Sequence, residues 1–436
     1  MVLTIVLAST TVLSMTGAVL IKPYINVGKF KLGLYWLICL AGALLMLLFG
    51  RIRFDAVISG ITANTSVNPL KILTLFISVT ILSIYLGDAG FFDYVADRIF
   101  LKSKGGQLKL FLILYAVVSV LTIFTSNDII ILTFTPPICI FAKKAKISPL
   151  PFLFGEFVAA NTWSMMLIVG NPTNIYLAQS AGINFFQYLS VMWLPAIVGG
   201  ITALSVILLI FKKQLSKPIS REQSTDLKHY NPTIVKIPMI VTLVHLIVCI
   251  IALAFADLIG VEMWLICLAL MLSLTLFNVF YDLIVVHSVR PVIHTIKKAP
   301  FELIPFVLSM FIIVLALKTN GVTDLLGALL VSKKHTDGVA FGFLSALSSN
   351  LLNNIPMSVL FEKIISGTSV YAVYGAVIGS NVGAFITPVG ALAGIMWSKI
   401  LAKYDVKMPF VKFLLYGSAV ALPTLLTSAL SFLLIL

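Results

Sequence analysis

Two acidic residues lie inside long apolar stretches of the sequence, where an ionisable side chain is costly and commonly serves a function. Asp128 lies at the centre of the stretch 109–143, and Glu156 lies near the start of the stretch 152–181. A carboxylate in such a place can bind a proton or a cation, or contact a ligand, and Asp128 has the structural alternative of capping a helix. We predict that Asp128 and Glu156 take part in ion coupling.

Uncharged polar residues form clusters beside Gly and Pro in the same apolar stretches. Helix breaks are expected at 160–162 and 170–174 in one half of the chain and at 379–390 in the other. A break exposes backbone donors and acceptors, and nearby amides and hydroxyls add directional hydrogen bonds; the alternative is that they only join helices. The predicted substrate-binding residues share an amide or hydroxyl side chain: Ser126, Asn127, Asn161, Thr162, Asn171, Thr173, Asn174, Asn353, Asn354, Ser380, Asn381 and Thr387.

The composition places these residues in a membrane. Of 436 residues, 60% are hydrophobic and 11% are charged, which excludes a soluble globular protein. The net charge of +14 comes from short basic clusters between apolar runs, so we expect a lipid bilayer and no nucleic acid as partner. The four cysteines lie in apolar stretches without paired spacing and are predicted to be buried free thiols, with no metal site.

The basic clusters also orient the chain, because they favour the cytoplasmic side. Residues 212–236 are predicted to be a basic cytoplasmic linker between an N-terminal half, 1–211, and a C-terminal half, 237–436. Counting spans outward places both termini outside the cytoplasm in a multi-pass plasma-membrane protein. Basic residues on both flanks of 109–143 indicate a hairpin that enters from the cytoplasm, either as a re-entrant loop or as two short spans.

The two halves repeat the same order of parts. One constant offset aligns Pro69 with Pro300 and Gly90 with Gly321, and a second polar hairpin tip occurs at 353–356. By the charge count this second hairpin enters from outside, so the halves are inverted. We predict an all-α polytopic membrane protein with two inverted repeats, about ten transmembrane helices, two re-entrant hairpins and two broken helices, an architecture typical of secondary transporters.

Four motifs give the chain a family resemblance over nearly its whole length: Leu86-Gly87-Asp88-Ala89-Gly90-Phe91-Phe92, Ser126-Asn127-Asp128 with Thr135-Pro136, Asn353-Asn354-Ile355-Pro356, and Ser380-Asn381 with Thr387-Pro388-Val389-Gly390. The chain resembles the ArsB/NhaD permeases of the ion transporter superfamily, which include arsenite permeases and are related to citrate and dicarboxylate carriers. The resemblance implies a homodimer with scaffold and transport regions and an elevator-type movement of substrate.

The expected function is ion-coupled transport of a small inorganic or organic anion or its neutral acid. Arsenite or antimonite export is favoured, because a carboxylate at Asp128 would repel a polyanion. No cysteine lies in the polar clusters, so recognition is expected through hydrogen bonds. A citrate or dicarboxylate carrier, a sodium/proton antiporter and an ion channel are the alternatives. The sequence has no phosphate-binding loop, so transport is expected to use H+ or Na+ as coupling ion or an external ATPase subunit as partner. We predict no enzyme activity and no cofactor.

Overall fold

The computed structural model describes residues 1–21, 24–27, 30–65, 68–102, 106–219, 234–330, 336–365, 369–432 and 434–435. The central part of the predicted linker, 220–233, lies outside the described residues. The described chain is helical apart from one antiparallel hairpin, in which β1 (Tyr24–Val27) pairs with β2 (Phe30–Gly33).

In the first half the helices are α1 (Val2–Ile21), α2 (Leu34–Leu48), α3 (Phe54–Thr62), α4 (Pro69–Asp88), α5 (Phe91–Lys102), α6 (Gln107–Phe124), α7 (Asn127–Lys144), α8 (Leu150–Trp163), α9 (Pro172–Ser180), α10 (Phe185–Ile210) and α11 (Lys212–Leu215). In the second half they are α12 (Lys236–Ala254), α13 (Ala256–Ile259), α14 (Met263–Val285), α15 (Arg290–Lys297), α16 (Leu303–Thr319), α17 (Val322–Leu330), α18 (Thr336–Leu352), α19 (Asn354–Ile365), α20 (Val370–Gly383), α21 (Leu392–Lys403) and α22 (Phe410–Phe432).

Six of the described helices are long and apolar enough to cross a membrane: α4, α6, α10, α12, α14 and α22. Helices α16 and α17 form a further candidate span with a bend of 77°, and α1, α2 and α20 are shorter apolar helices. In lipid only a helix of this kind satisfies its own backbone groups. The predicted fold class, an all-α polytopic membrane protein, is confirmed.

The predicted repeat is present as five parts in each half. A span and an amphipathic helix (α4 and α5) precede a hairpin (α6 and α7), a broken helix (α8 and α9) and a long span (α10), and α16 to α22 repeat this order. Gly90 and Gly321, which join the first two parts, have φ of +85° and +75°, a conformation that glycine adopts without strain. The constant offset holds only for these first two parts, because the hairpins of the two halves differ in length.

Contacts between equivalent helices show that the halves run in opposite directions. At the end of α4, Asp88 accepts hydrogen bonds from Thr295 (2.6 Å) and Lys298, which lie just before α16. Tyr374, near the start of α20, donates to the carbonyl of Gln187 (3.2 Å), which follows α9. In these two pairs the start of the second-half element lies near the end of its first-half counterpart, as an inverted repeat requires.

The structure corrects the predicted extent of the breaks. Residues 160–162 were expected to interrupt a helix, but α8 continues to Trp163. Asn161 donates its amide to the carbonyl of Phe157 (2.8 Å), one turn earlier, and so remains compatible with the helix. In the second half, residues 379–383 are likewise helical, and the break begins at Ala384. Each half thus has a single break, at 164–171 and at 384–391.

Hairpin α18/α19 lies unusually close to helix α20. A Cβ atom on Gly375 or Gly379 would overlap the backbone carbonyl of Gly338 or Gly342, and one on Gly383 would lie 2.7 Å from the Cα of Ala346. Small residues at every fourth position thus let two helices touch through their backbones, the packing typical of helices in lipid. This contact fixes the second hairpin against the second broken helix.

Candidate functional site

The two broken helices meet in a polar network buried inside the protein. Its hub is Asn381 on α20, which is fully buried. The Asn381 amide oxygen accepts from Ser164 Oγ (2.9 Å) and Asn171 Nδ2 (3.1 Å), and its NH2 group donates to Asn174 Oδ1 (2.7 Å). Ser380 beside it donates to Thr173 Oγ1 (2.8 Å). Residues predicted as ligands in the two halves therefore form one cluster.

The first break is shaped by residues that bond to its own backbone. Two 3₁₀ turns, Ser164–Met166 and Ile168–Gly170, separate α8 from α9. Asn171 caps α9 by accepting from the backbone N–H of Thr173 (3.2 Å), with Pro172 at the first helical position. Gly170 must be glycine, since a Cβ there would overlap the carbonyl oxygen of Ser164.

The second break is held by the tip of the second hairpin. The side-chain oxygen of Asn350 accepts from the backbone N–H (3.0 Å) and the hydroxyl (2.6 Å) of Thr387. Asn353, at φ +76°, donates to the carbonyl of Val389 (3.0 Å), and the Asn354 N–H donates to the carbonyl of Gly390 (3.0 Å). Thr387 therefore stabilises this turn through its hydroxyl.

The tip of the first hairpin reaches the network through Asn127, the first residue of α7. Asn161 donates its NH2 group to the Phe157 carbonyl, which can only accept. The side-chain oxygen of Asn161 must therefore face Asn127. Asn127 then presents its NH2 group to that oxygen (2.9 Å). The other end of the same amide, Asn127 Oδ1, is buried and has no hydrogen-bond partner among the described residues.

Further buried polar atoms without a partner in the described structure lie at the same tips and breaks. They are Ser126 Oγ and Thr162 Oγ1 in the first half, and Ser349 Oγ and Asn354 Oδ1 in the second. Such atoms are rare in native proteins and need an explanation. A bound ligand that supplies the missing hydrogen bonds is one explanation. Helices α7, α9 and α19 also begin at the site, so their positive ends favour a negatively polarised ligand.

The two predicted acids lie in different surroundings. Asp128, in the first turn of α7, is partly exposed, and its carboxylate makes no hydrogen bond or ion pair within the described part of the chain. Glu156, in the middle of α8, is 1% exposed and lies outside the network. Both of its oxygens are 3.1 Å from Thr135 Oγ1. The shared coupling role of the two acids stays a prediction.

Sequence reasoning missed Ser164 and Asn350. The hydroxyl of Ser164 lies 2.9 Å from both the Asn161 carbonyl and Asn381 Oδ1, which share its one hydrogen. Asn350 organises the second break. Asn350 precedes the Asn353-Asn354 tip by less than one helical turn, which is a signal that could have identified it. Ser164 has no such signal, because its role depends on a partner in the other half.

The cysteines and other potential metal ligands stand apart from this site. Cys39, Cys139, Cys249 and Cys267 are buried free thiols, as predicted. Within the described ranges, no group of three or more His, Cys, Asp or Glu side chains is placed to hold a metal ion. The site as described therefore offers amides, hydroxyls and backbone groups as its means of recognition.

Comparison with known proteins supports these observations. A family model described as a citrate transporter matches residues 34–375. The arsenical pump membrane protein of Escherichia coli K12 is 27% identical over 369 residues, covering 80% of this chain and 83% of that protein. The protein of the same name from Yersinia enterocolitica is 26% identical over 364 residues, with the same coverage. The crystal structure of the Alcanivorax borkumensis YdaH transporter is similar in fold, with a TM-score of 0.53 and 12% identity over 99% of this chain and 97% of that one.

Proposed function

Because the chain belongs to the citrate transporter family, as the match over residues 34–375 shows, we propose that it is a secondary active transporter of a small oxyanion or its neutral acid. Export of arsenite or antimonite across the plasma membrane is the activity we favour. The names of the relatives that cover four fifths of the chain support this choice.

The choice of substrate rests on Asn127 Oδ1, the buried oxygen without a hydrogen-bond partner among the described residues. An amide oxygen only accepts, so a ligand that satisfies it must bring an O–H or N–H group or a cation. Arsenous acid is neutral near pH 7 and carries only hydroxyl groups around arsenic, which can donate to Asn127 Oδ1 and accept from hydroxyls such as Ser126 and Thr162. A citrate carboxylate only accepts, so citrate could satisfy this oxygen only through its single alcohol hydroxyl, whereas every oxygen of arsenous acid carries a hydrogen.

The proposed substrate site consists of the sequence-predicted amides and hydroxyls around the two breaks. Asn127, Asn161 and Thr162 would contact the ligand from the first half, and Asn354 would do so from the second. Asn171, Thr173, Asn174, Ser380 and Asn381 would hold the broken helices in register. Elevator-type movement would carry this unit across the membrane, within a homodimer.

The coupling ion is H+ or Na+, with Asp128 as the proposed coupling group. Its unpaired carboxylate at a half-helix start supports this role. If Na+ is the coupling ion, the hydroxyl oxygens of Ser126 and Thr162 would suit it, because hard cations prefer oxygen donors. An external ATPase subunit would replace this gradient as the energy source.

The match to a citrate transporter model favours a second candidate, a carrier of citrate or another carboxylate. Proteoliposomes separate the two. Arsenite, antimonite, citrate, succinate and sodium are each offered under an imposed proton or sodium gradient. We expect gradient-dependent movement of arsenite or antimonite. Movement of citrate with an unchanged arsenite distribution would refute the favoured substrate, and currents independent of any gradient would indicate a channel.

The role of Asn127 has its own test with a matched control. Asn127→Ala removes the orphaned acceptor, and we expect arsenite uptake to fall about tenfold, the equivalent of one hydrogen bond. Asn320 is a control because, among the described residues, its amide bonds only to the backbone carbonyls of Arg51 and Ala316, away from the network. Equal losses in Asn127→Ala and Asn320→Ala would exclude a specific ligand contact.

We also propose that both termini lie outside the cytoplasm. The segments counted as cytoplasmic meet on one face: Gln107 donates to the carbonyl of Lys217 (3.4 Å), and Val235 to that of Ala89 (3.1 Å). An impermeant maleimide applied to intact cells should label Ser190→Cys and spare Lys297→Cys. The reverse pattern would invert the proposed topology.

A further inference from the structure

Glu156 is a buried acid that the proposed substrate site does not use. It lies on α8 about five residues before Asn161, or roughly 8 Å along the helix axis. The contacts of its carboxyl group come from Thr135 on α7 and from Trp397 on α21, in the other half of the chain. Within the described residues it has no basic partner, and Cys139 on α7 is the ionisable side chain that faces it.

The hydroxyl group of Thr135 can serve Glu156 in either protonation state. A hydroxyl group has one hydrogen to donate. Thr135 Oγ1 lies 2.6 Å from the carbonyl oxygen of Ile131, which can only accept, and 3.1 Å from each oxygen of Glu156. With its hydrogen on the Ile131 carbonyl, Thr135 can accept from a protonated Glu156, and with its hydrogen turned toward Glu156 it can donate to the carboxylate.

Trp397 provides a second possible hydrogen-bond donor to the Glu156 carboxyl group. The indole N–H of Trp397 faces the Glu156 carboxyl group, yet it has no hydrogen-bond partner in the described structure, although the side chain is fully buried. An indole N–H can only donate. A carboxyl oxygen of Glu156 can accept from it in either protonation state, and the bond is stronger when the group is ionised.

We propose that Glu156 is a proton-binding site separate from the substrate site, which gains and loses one proton in each transport cycle. This inference rests on the proposed secondary transport and assigns part of its coupling to H+. Thr135 can accept from the neutral acid or donate to the carboxylate, and Trp397 donates more strongly to the carboxylate. Because Trp397 belongs to the second half, each protonation change alters a contact between the two broken-helix units. Trp397 acts as a positioning residue.

Infrared difference spectroscopy tests the proton site without any substrate. The difference between wild type and Glu156→Gln should contain the band of a protonated carboxylic acid at neutral pH, replaced by carboxylate bands at higher pH. Trp397→Phe keeps an aromatic ring but removes the donor, so the titration midpoint should rise by about 0.7 on the pH scale, the equivalent of one hydrogen bond. Carboxylate bands alone at neutral pH, or an unchanged midpoint in Trp397→Phe, would overturn the proposal.

Transport measurements test the coupling itself. Glu156→Gln mimics the neutral acid, so its exchange of labelled arsenite should stay within about twofold of the wild-type rate. The stimulation of its transport by a proton gradient should be at least about tenfold smaller than in wild type. Glu156→Asp keeps an ionisable group and should retain part of the stimulation. Full stimulation in Glu156→Gln would refute the coupling role. If wild type moves no arsenite, the proposed substrate fails, while the infrared titration still decides whether Glu156 carries the proton.

Discussion

Replacing Asn381 by Leu should separate the two halves of the polar network. The amide of Asn381 bonds to Ser164, Asn171 and Asn174, all of which belong to the first half. Its fourth contact, to the carbonyl of Val377, is local to α20. Leucine has a similar size but no polar atom, so the variant removes every bond between the halves that passes through this side chain.

The expected loss follows from the number of bonds. A hydrogen bond between membrane helices contributes about 0.6 kcal/mol on average and up to about 1.7 kcal/mol. The three bonds to the first half therefore predict a loss of about 2 kcal/mol, or roughly 30-fold in the unfolding equilibrium. Asn278 offers a matched control, because its buried amide donates only to the carbonyl of Leu274, within its own helix (2.9 Å). Asn278→Leu should cost about 0.6 kcal/mol.

The assay is equilibrium unfolding in mixed micelles with a rising fraction of denaturing detergent, followed by uptake in proteoliposomes. Both variants exchange Asn for Leu at a buried position, so their difference reports the bonds between the halves. A cost for Asn381→Leu that equals the cost for Asn278→Leu would refute the reasoning. A double variant with Asn174→Leu adds a further check, since the two losses should then be less than additive.

Three further outcomes follow from other parts of the structure. Gly379→Ala should destabilise the protein by about 1–3 kcal/mol, because its Cβ would overlap the Gly342 carbonyl, whereas Gly17→Ala, with open space around it, should be neutral or stabilising in the same assay. Lys71 holds the pKa of Glu262 below its ordinary value of 4.5 through a 2.5 Å ion pair. That contribution is present above pH 4.5 and is lost as the pH falls through the lowered pKa, so thermal unfolding of Lys71→Met and wild type should differ at neutral pH and converge in acid. Asp128→Asn should abolish gradient-driven uptake while the protein stays folded, and an unchanged pH and sodium dependence would remove Asp128 from coupling.

Much of the fold was accessible from the sequence because membranes impose simple rules. Apolar runs must be helices, basic clusters mark one side, and Gly or Pro in a long run marks a break. These rules predicted both hairpins and both broken helices. They failed at 160–162 and 379–383, where Asn and Gly remain helical because a local carbonyl or a neighbouring backbone accommodates them.

The sequence predicted which types of residue form the site, but it did not predict which of them form hydrogen bonds with one another. Asn127, Asn161, Asn171 and Asn381 were identified as polar residues in lipid-buried stretches, and the structure joins them in one network. Ser164 was missed, because a serine in an apolar helix often bonds to its own backbone. The direct ligand contacts of these residues, and the coupling roles of Asp128 and Glu156, stay predictions that the proposed transport measurements address.

The sequence by itself determined that this chain is a membrane protein of two inverted halves, because hydropathy, charge and helix breaking depend on local composition. Tertiary structure alone decided how those halves meet. It placed Asn381 against residues from both ends of the first break, left one face of the Asn127 amide unpaired, and set Glu156 beside Trp397. Each of these facts depends on directional hydrogen bonds between residues far apart in the chain, which composition and spacing do not encode.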